Sequence, residues 1–303
     1  MEVVNIEKLR HLGEKLAVAI GFFDGVHLGH QKVITHATRY AKDNHVKSMV
    51  ITFDRSPKVA LGFALNDGYL TPTHEKLRIL EEMGVDYVHV LKFDASFLKL
   101  SADTFINDYL LKIGVCYVSV GFDFRFGHNG IGNTEHLQRY DAFKLNVSEP
   151  VLLEGNKVST RSIKKCLKTG DLTLVNQMLG RPFSVSGEIV RGRQLGRTIG
   201  FPTANFKLDE DYLFPLRGVY ATVSYVENVR HASMTNVGYN PTANTGDDLT
   251  VETYILNFDE DIYEKTLRLE FFKKIRDEVK FNGLDELTTQ LEKDKLSVKL
   301  MSI

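Results

Sequence analysis

The sequence predicts two domains of different class, an α/β domain built on a parallel sheet and an antiparallel β domain closed by a helix. Three observations predict this. From residue 16 to about 180, short apolar runs alternate with longer stretches of helical spacing. A Gly/Pro break follows at Leu179-Gly180-Arg181-Pro182. From Phe183 to Phe272 the runs are short, β-branched and aromatic, with turn residues between them. At 303 residues the chain is long enough for two domains that each bury a core, and the break sets them at 1–182 and 183–303.

Leu16–Gly21 (LAVAIG) is a continuous apolar run of strand length, and Ser48–Phe53 (SMVITF) reads as a second buried strand, as expected for strands covered on both faces. Between them, Val33, Ile34, Ala37 and Ala41 repeat at helical spacing over His30–Lys42. Thr73–Met83 reads as a helix capped by Thr73 and stopped by Gly84. Asp86–Leu91 and Cys116–Val120 are further strands, with a helix over Ala102–Ile113 between them, and Ser162–Met178 is helical. Such alternation gives βαβ units, and ligands of these sheets bind beyond the carboxyl ends of the strands. In the second half SVSGEIV, GVYATVSYV, SMTNVGY, VETYIL and LRLEFF read as strands of a barrel or a sandwich with no helix between them. A helix over Leu284–Leu296 ends the pattern.

Bulk composition narrows the partners. A net charge of −1 gives no electrostatic reason to expect a nucleic-acid or acidic-membrane partner. Cys116 and Cys166 are far apart and lack metal-ligand spacing, which fits small buried side chains in a reduced compartment such as the cytoplasm. The first residues mix charge into their apolar positions, unlike a signal peptide, and no stretch reaches the roughly 20 apolar residues of a membrane span. The sequence carries no signal of an oligomeric state.

Two constellations carry chemistry. In the first, the strand LAVAIG runs into Phe22-Phe23-Asp24-Gly25-Val26-His27-Leu28-Gly29-His30, where a helix opens. Backbone N–H groups and the helix dipole meet there at an anion site, Gly25 and Gly29 allow close approach, and His27 and His30 can donate to phosphate oxygens. The alternatives are histidines that only pack on the helix start, or a metal pair completed by Asp24 or His36. In the second constellation, Gly192, Gly196 and Gly200 are interleaved with Arg191, Arg193 and Arg197, a pattern suited to covering a triphosphate. Thr203 and Asn205 follow as neutral oxygen donors suited to Mg²⁺. Glu252, flanked by apolar strand residues, is a candidate to accept the proton in phosphoryl transfer, or else an outward strand residue at a sheet edge.

Read together, these segments resemble the bacterial bifunctional riboflavin kinase/FMN adenylyltransferases (FAD synthetases). GFFDGVHLGHQ is similar to the adenylyltransferase half, a member of the HxGH nucleotidyltransferase superfamily, and Gly121–Gly127 (GFDFRFG) to its flavin-side loop. Gly200–Asn205 (GFPTAN) resembles the kinase signature. Gly218-Val219-Tyr220, Asn236–Thr242, Glu252 and Arg276–Phe281 match its companions in order and spacing. The resemblance implies a Rossmann-like nucleotidyltransferase domain followed by a β-barrel kinase domain with a C-terminal helix. It implies riboflavin, FMN and ATP as ligands, flavin as substrate and product, and Mg²⁺ with the ATP.

Residue by residue, it implies ATP contacts at Gly21, Phe23, Asp24, Gly25 and Gly29, at Ser159, Thr160, Arg161 and Lys164, and at Gly192, Arg193, Gly196 and Arg197. It implies flavin contacts at Asp123, Phe124, Arg125, Arg276 and Phe281, metal ligands at Thr203 and Asn205, and catalytic roles for His27, His30 and Glu252. Two segments depart from the family's pattern. Thr52-Phe53-Asp54-Arg55-Ser56-Pro57 stands where the family has Thr-Phe-x-Pro-His-Pro, and Val158–Lys164 (VSTRSIK) where it has Ile-Ser-Ser-Thr-x-x-Arg. Those departures are the basis of a second reading, a kinase with a weakened adenylyltransferase domain. A third, a non-catalytic flavin-sensing regulator, predicts loss of Thr203, Asn205 or Glu252, and all three are present.

Overall fold

The computed structural model describes residues 1–62, 67–192, 195–207, 211–240 and 248–301. It divides into two compact units, residues 1–67 with 71–159, and residues 68–70 with 160–303.

The first unit runs β1 (Glu2–Val3), α1 (Ile6–Leu12), β2 (Leu16–Ile20), α2 (Leu28–Asp43), β3 (Lys47–Phe53), α3 (Pro57–Ala60), α4 (Thr73–Glu82), β4 (Tyr87–Leu91), α5 (Ala102–Tyr109), β5 (Val115–Gly121), α6 (Thr134–Leu137) and β6 (Lys144–Ser148), then a hairpin of β7 (Leu152–Leu153) and β8 (Asn156–Lys157). The six strands β1 to β6 form one sheet, ordered β1-β4-β3-β2-β5-β6, with every pairing parallel. Alternate residues of each strand feed two cores. Val18, Ile20, Met49, Ile51, Val118 and Val120 pack with α1 and α5, whereas Ala19, Val50 and Val88 pack with α2 and α4. Burial on both faces is why LAVAI carries no polar residue. From the central β2 the chain first moves outward through β3 and β4, then crosses to β5 and β6. The order therefore reverses between β2 and β5, and a ligand crevice opens beyond the carboxyl ends of strands at such a point.

The second unit contains α7 (Thr160–Thr169), α8 (Leu172–Leu179), β9 (Phe183–Val190), α9 (Leu195–Thr198), β10 (Ala204–Lys207), β11 (Gly218–Val226), β12 (Val229–Asn240), β13 (Asp248–Ile255), β14 (Thr266–Arg276) and α10 (Leu284–Leu300). The strands close as β10-β13-β12-β11-β14-β9, antiparallel throughout, which decides for a barrel over a sandwich. The interior is not wholly apolar. Ser224, Ser233, Thr222, Thr235 and Thr253 are fully buried there and form a chain of hydroxyl–hydroxyl bonds, each 2.8 Å long. On the outside, α10 covers Phe201, Val219, Met234 and Leu256 with Val298 and Leu291.

Three readings are corrected in detail. Helix Ser162–Met178 is two helices, because Gly170 takes φ +80° and Asp171 caps α8 by accepting from Leu174 N at 3.1 Å. Thr73 is the first residue of α4 and not its cap; that position is held by Pro72, which makes no side-chain bond. A four-residue helix, α9, interrupts the second half. Helices α7 and α8, which precede the break at Gly180, count with the second unit by their contacts, and Asn176 of α8 ties it to the barrel through Phe271 O and Phe183 N, both at 2.8 Å.

Candidate active sites

In the first unit, the turn between β2 and α2 is tightly determined. A Cβ at Gly21 would lie 2.7 Å from the Phe23 ring, so any other residue there would push that ring aside. Phe23 (φ +55°) and Val26 (φ +37°) hold left-handed conformations, which cost about 1–3 kcal/mol each for non-glycine residues. Their neighbours enforce them. The buried Asp24 carboxylate accepts from Thr71 N at 3.1 Å, and Gly25 N donates to Thr71 Oγ1 at 2.8 Å. The Phe22 carbonyl accepts from Thr52 Oγ1 at 2.9 Å and from Lys76 Nζ at 2.8 Å.

The buried His27 is the N-cap of α2, its Nδ1 accepting from His30 N at 3.3 Å. In its neutral form the ring therefore carries its proton on Nε2, leaving that edge as a donor. The His27 and His30 rings stack with centroids 3.6 Å apart, and Phe23 meets His30 edge-on at 5.2 Å. A Cβ at Gly29 would press on His27 Cε1 at 3.1 Å, so the glycine makes room for the ring. Two imidazoles thus lie at the positive end of a 16-residue helix, beyond the carboxyl end of the central strand. Among the described residues, no three His, Cys, Asp or Glu side chains gather as metal ligands.

The loop Gly121–Gly127 leaves β5, so it stands beside that turn at the reversal of strand order. Phe124 and Phe126 stack at 5.5 Å and Phe126 packs on Phe105 at 5.3 Å, while Asp123 and Arg125 are exposed. Lys157 of the hairpin pairs with Asp123 at 3.0 Å and lies 4.2 Å from the Phe122 ring centroid. In the divergent segment after β3, Asp54 accepts from Phe93 N at 2.9 Å and Arg55 is exposed. Ser159 ends the first unit, whereas Thr160, Arg161 and Lys164 lie on α7 in the second, where Lys164 Nζ donates to Gly68 O at 2.5 Å.

In the second unit, strand register assembles what sequence spacing leaves apart. Asn205 of β10 stands directly opposite Glu252 of β13, and Glu252 directly opposite Asn236 of β12. Directly opposed residues share a face, so Asn205, Glu252 and Asn236 form one row across three strands. It is the outer row, since Val251, Thr253 and Ile255 point inward and are buried while Glu252 is half-buried. Asn236 Nδ2 donates to Glu278 Oε1 at 3.5 Å. Glycines clear the row. A Cβ at Gly192 would lie 2.3 Å from Asn205 Nδ2, and one at Gly238 2.2 Å from Glu278 Oε1. A Cβ at Gly196 would meet Phe201 O at 2.1 Å and Thr203 Cγ2 at 3.7 Å. Neutral oxygen donors in a glycine cradle beside a carboxylate fit a hard cation that keeps phosphate oxygens among its ligands.

Of the arginines, Arg197 is exposed on α9, Arg191 lies 4.8 Å from the Tyr263 ring centroid, and Arg193 falls outside the described residues, as do Pro241 and Thr242. Arg276 is committed to structure. It pairs with the buried Asp294 of α10 at 2.9 Å, donates to Asp277 O at 3.0 Å, and lies 5.7 Å from the Phe281 ring centroid.

Known proteins match the chain in two adjoining parts. A family model described as FAD synthetase matches residues 10–162, and one described as riboflavin kinase matches residues 179–301. Among curated relatives, the bifunctional riboflavin kinase/FMN adenylyltransferase of Listeria monocytogenes is 38% identical, covering 92% of this chain and 90% of its own. The proteins of the same name from Bacillus subtilis (35% identical, 97% and 96% covered) and Escherichia coli strain K12 (35%, 94% and 92%) match similarly. The chain belongs to the bifunctional riboflavin kinase/FMN adenylyltransferase family.

A crystal structure from Streptococcus pneumoniae, described as a macrolide-efflux protein, shares the fold with a TM-score of 0.90 and 30% identity over 99% of both chains. Among the described residues, no helix is long and apolar enough to cross a membrane. Thr71 and Lys76, which sequence reasoning did not single out, lie under the His27–His30 turn, and Asn236, read from the sequence only as part of the Asn236–Thr242 segment, stands opposite Glu252. Lys76 left a faint signal, since it falls at the helical spacing of the apolar Ile79, Leu80 and Met83.

Proposed function

We infer that the two chemistries are divided as the sites are, with residues 183–303 carrying riboflavin phosphorylation and residues 1–182 carrying adenylyl transfer. The enzyme makes FMN from riboflavin and ATP, then FAD and pyrophosphate from FMN and ATP. The observation that carries the kinase assignment is the row Asn205–Glu252–Asn236. Glu252 accepts the proton of the riboflavin hydroxyl as that oxygen attacks the terminal phosphorus of ATP. Asn205 and Thr203 would hold Mg²⁺, which when bound neutralises phosphate charge; Gly192, Gly196, Arg193 and Arg197 cover the phosphates. Phe281 walls the flavin, with Arg276 behind it as its brace.

For adenylyl transfer, the FMN phosphate attacks the α-phosphorus of ATP and the α–β bridging bond breaks, so pyrophosphate leaves. No covalent enzyme intermediate is needed. Gly21, Phe23, Asp24, Gly25 and Gly29 shape the turn that receives the nucleotide, His27 Nε2–H and the His30 ring donate to phosphate oxygens, and Asp123, Phe124 and Arg125 receive the flavin. Ser159, the last residue of the first unit, contributes its hydroxyl. We place the enzyme in the cytoplasm. One observation favours the kinase-only reading: Lys164, a cation expected at phosphate, directs one N–H of its ammonium to Gly68 O.

One assay separates the readings. Purified protein is incubated with riboflavin and Mg-ATP, and FMN and FAD are followed by HPLC. Both products are expected; FMN alone would establish the kinase-only reading. Glu252→Gln abolishes FMN formation and spares conversion of FMN to FAD, and His30→Ala does the reverse. A Glu252→Gln chain with full kinase rate would remove Glu252 from the role of base.

A further inference from the structure

Resting on the kinase reading, we propose that Thr253 is a positioning residue for riboflavin phosphorylation, its buried hydroxyl bond to Thr235 fixing β13 along β12 so that Glu252 stands between Asn205 and Asn236. Thr253 follows Glu252 in β13 and points into the barrel, where it and Thr235 are both fully buried. Their hydroxyls meet at 2.8 Å across a directly opposed pair. Thr235 also bonds Thr222 of β11 at 2.8 Å, and Thr222 and Ser224 each meet Ser233 at 2.8 Å. Thr253 is thus the β13 end of a hydroxyl chain anchored in β11.

The step on which this bond stands separates it from ordinary core packing. The pair Thr235–Thr253 adjoins the pair Asn236–Glu252. On the other side of β13, Thr253 is opposite Ala204 as Glu252 is opposite Asn205. Among the described residues β10 meets β13 at these two pairs and at no others. The position of Thr253 therefore governs how the carboxylate of Glu252 is set against both asparagines.

Apolar packing does not set that alignment by itself. The inward neighbours of Thr253 along β13 are Val251 and Ile255, and those of Thr235 along β12 are Ser233 and Val237, all buried. A two-residue slip of β13 keeps every side chain on its own face, so the inside–outside pattern does not oppose it. Such a slip would set Val251 or Ile255 against Thr235 and carry Glu252 to Met234 or Gly238. Smaller displacements are resisted in the same way, since a hydroxyl bond weakens with distance and angle whereas apolar attraction is non-directional. Stability does not ask for hydroxyls here, because aliphatic residues in place of both partners would be nearly neutral. A fully bonded polar network in a core instead specifies one arrangement.

The test uses the full chain with riboflavin and Mg-ATP, reading FMN by HPLC as kcat and KM, with thermal melts to report the fold. Thr253→Val keeps the shape of the side chain, removes the hydroxyl and leaves Thr235 bonded to Thr222. It is expected to lower kcat by about tenfold or more, with KM for riboflavin and for ATP within about twofold of wild type. Thr253→Ser, which restores the hydroxyl, is expected to return kcat to within about threefold of wild type. If Thr253→Val does not fold, the same comparison is made between Thr253→Ala and Thr253→Ser, which differ by the hydroxyl alone. A smaller loss of kcat in a folded chain without the hydroxyl overturns the proposal. So does a serine variant that recovers nothing, or a loss shared between kcat and KM, either of which would make Thr253 merely structural. A wild-type chain that forms no FMN, or a Glu252→Gln chain at full kinase rate, would instead sink the kinase reading of this row, and this inference with it.

Discussion

Replacing Gly192 by alanine should separate kinase activity from stability. The glycine has no left-handed φ, so alanine can adopt its backbone, and the lost flexibility of the unfolded chain favours the folded state by about 0.4–1 kcal/mol. The added Cβ, however, would stand 2.3 Å from Asn205 Nδ2, 2.5 Å from Cγ and 2.8 Å from Oδ1. Ordinary contact begins at 3.4 Å, so the carboxamide must withdraw by about 1 Å. That shift is easily made, because it moves the free end of one side chain and no backbone. A misplacement of ~1 Å in a site that works by positioning costs about 100-fold in rate, or ~2.7 kcal/mol of transition-state stabilisation. Gly192→Ala is therefore expected to form FMN about 100-fold more slowly, with an unchanged or slightly raised melting temperature and a normal rate of FAD formation from FMN. Steady-state kinetics by HPLC and thermal melts measure all three. A kinase rate within threefold of wild type would refute the placement of Asn205 at the working centre.

Three further predictions follow from the same geometry. His27→Asn keeps an acceptor for the α2 N-terminus and removes the Nε2 donor, so FAD synthesis should fall about 100-fold while stability changes by less than about 1 kcal/mol; His27→Ala should lose both. Asp294→Asn takes away the buried partner of Arg276 and should destabilise the second unit by about 3 kcal/mol in denaturant titrations, with no change in FAD formation from FMN. Burial holds His89 below its ordinary pKa of about 6.5, with Nδ1 2.8 Å from Val4 O. The unfolded chain then binds the proton more readily than the folded one, so this residue lowers stability as pH falls below about 6.5 and contributes nothing above it. His89→Gln should flatten the decline in melting temperature of the first unit between pH 7 and 5.5.

Strands buried on both faces stood out in the sequence: LAVAI has no polar residue, and the two in SMVITF, Ser48 and Thr52, are hydrogen-bonded through their hydroxyls. Two of those it concealed lie at the edges of the parallel sheet. β6 (KLNVS) is half-exposed on the sheet margin, and β1 spans two residues, so neither shows an apolar run. β10 (ANFK) has little strand propensity of its own and is held by its partners on both sides. The apolar spacing of Ile163, Leu167, Val175 and Met178 hid the break at Gly170, although Gly170-Asp171 is a stop followed by a cap. Sequence reasoning found the candidate site residues one motif at a time. It could not show that Asn205, Glu252 and Asn236 are neighbours, because alignment across three strands is a property of register. Lys76 went unseen for the opposite reason: a charged residue on a helix is read as solvated unless its spacing with Ile79, Leu80 and Met83 is weighed first.

The hydroxyl chain inside the barrel constrains how this sequence can change over generations. In the chain Ser224–Ser233–Thr222–Thr235–Thr253, Ser224 Oγ donates to Ser233 Oγ, and in each of the other links either hydroxyl can donate to the other. Exchange of one member for an aliphatic residue leaves a fully buried neighbour with an unmet bond, whereas exchange of two adjoining members together removes the debt on both sides. Thr235 and Thr253 lie on different strands, immediately beside Asn236 and Glu252 in the chain. Drift in the barrel interior therefore proceeds by coupled steps at distant codons, and lineages that diverge freely on the surface inherit these positions as a set.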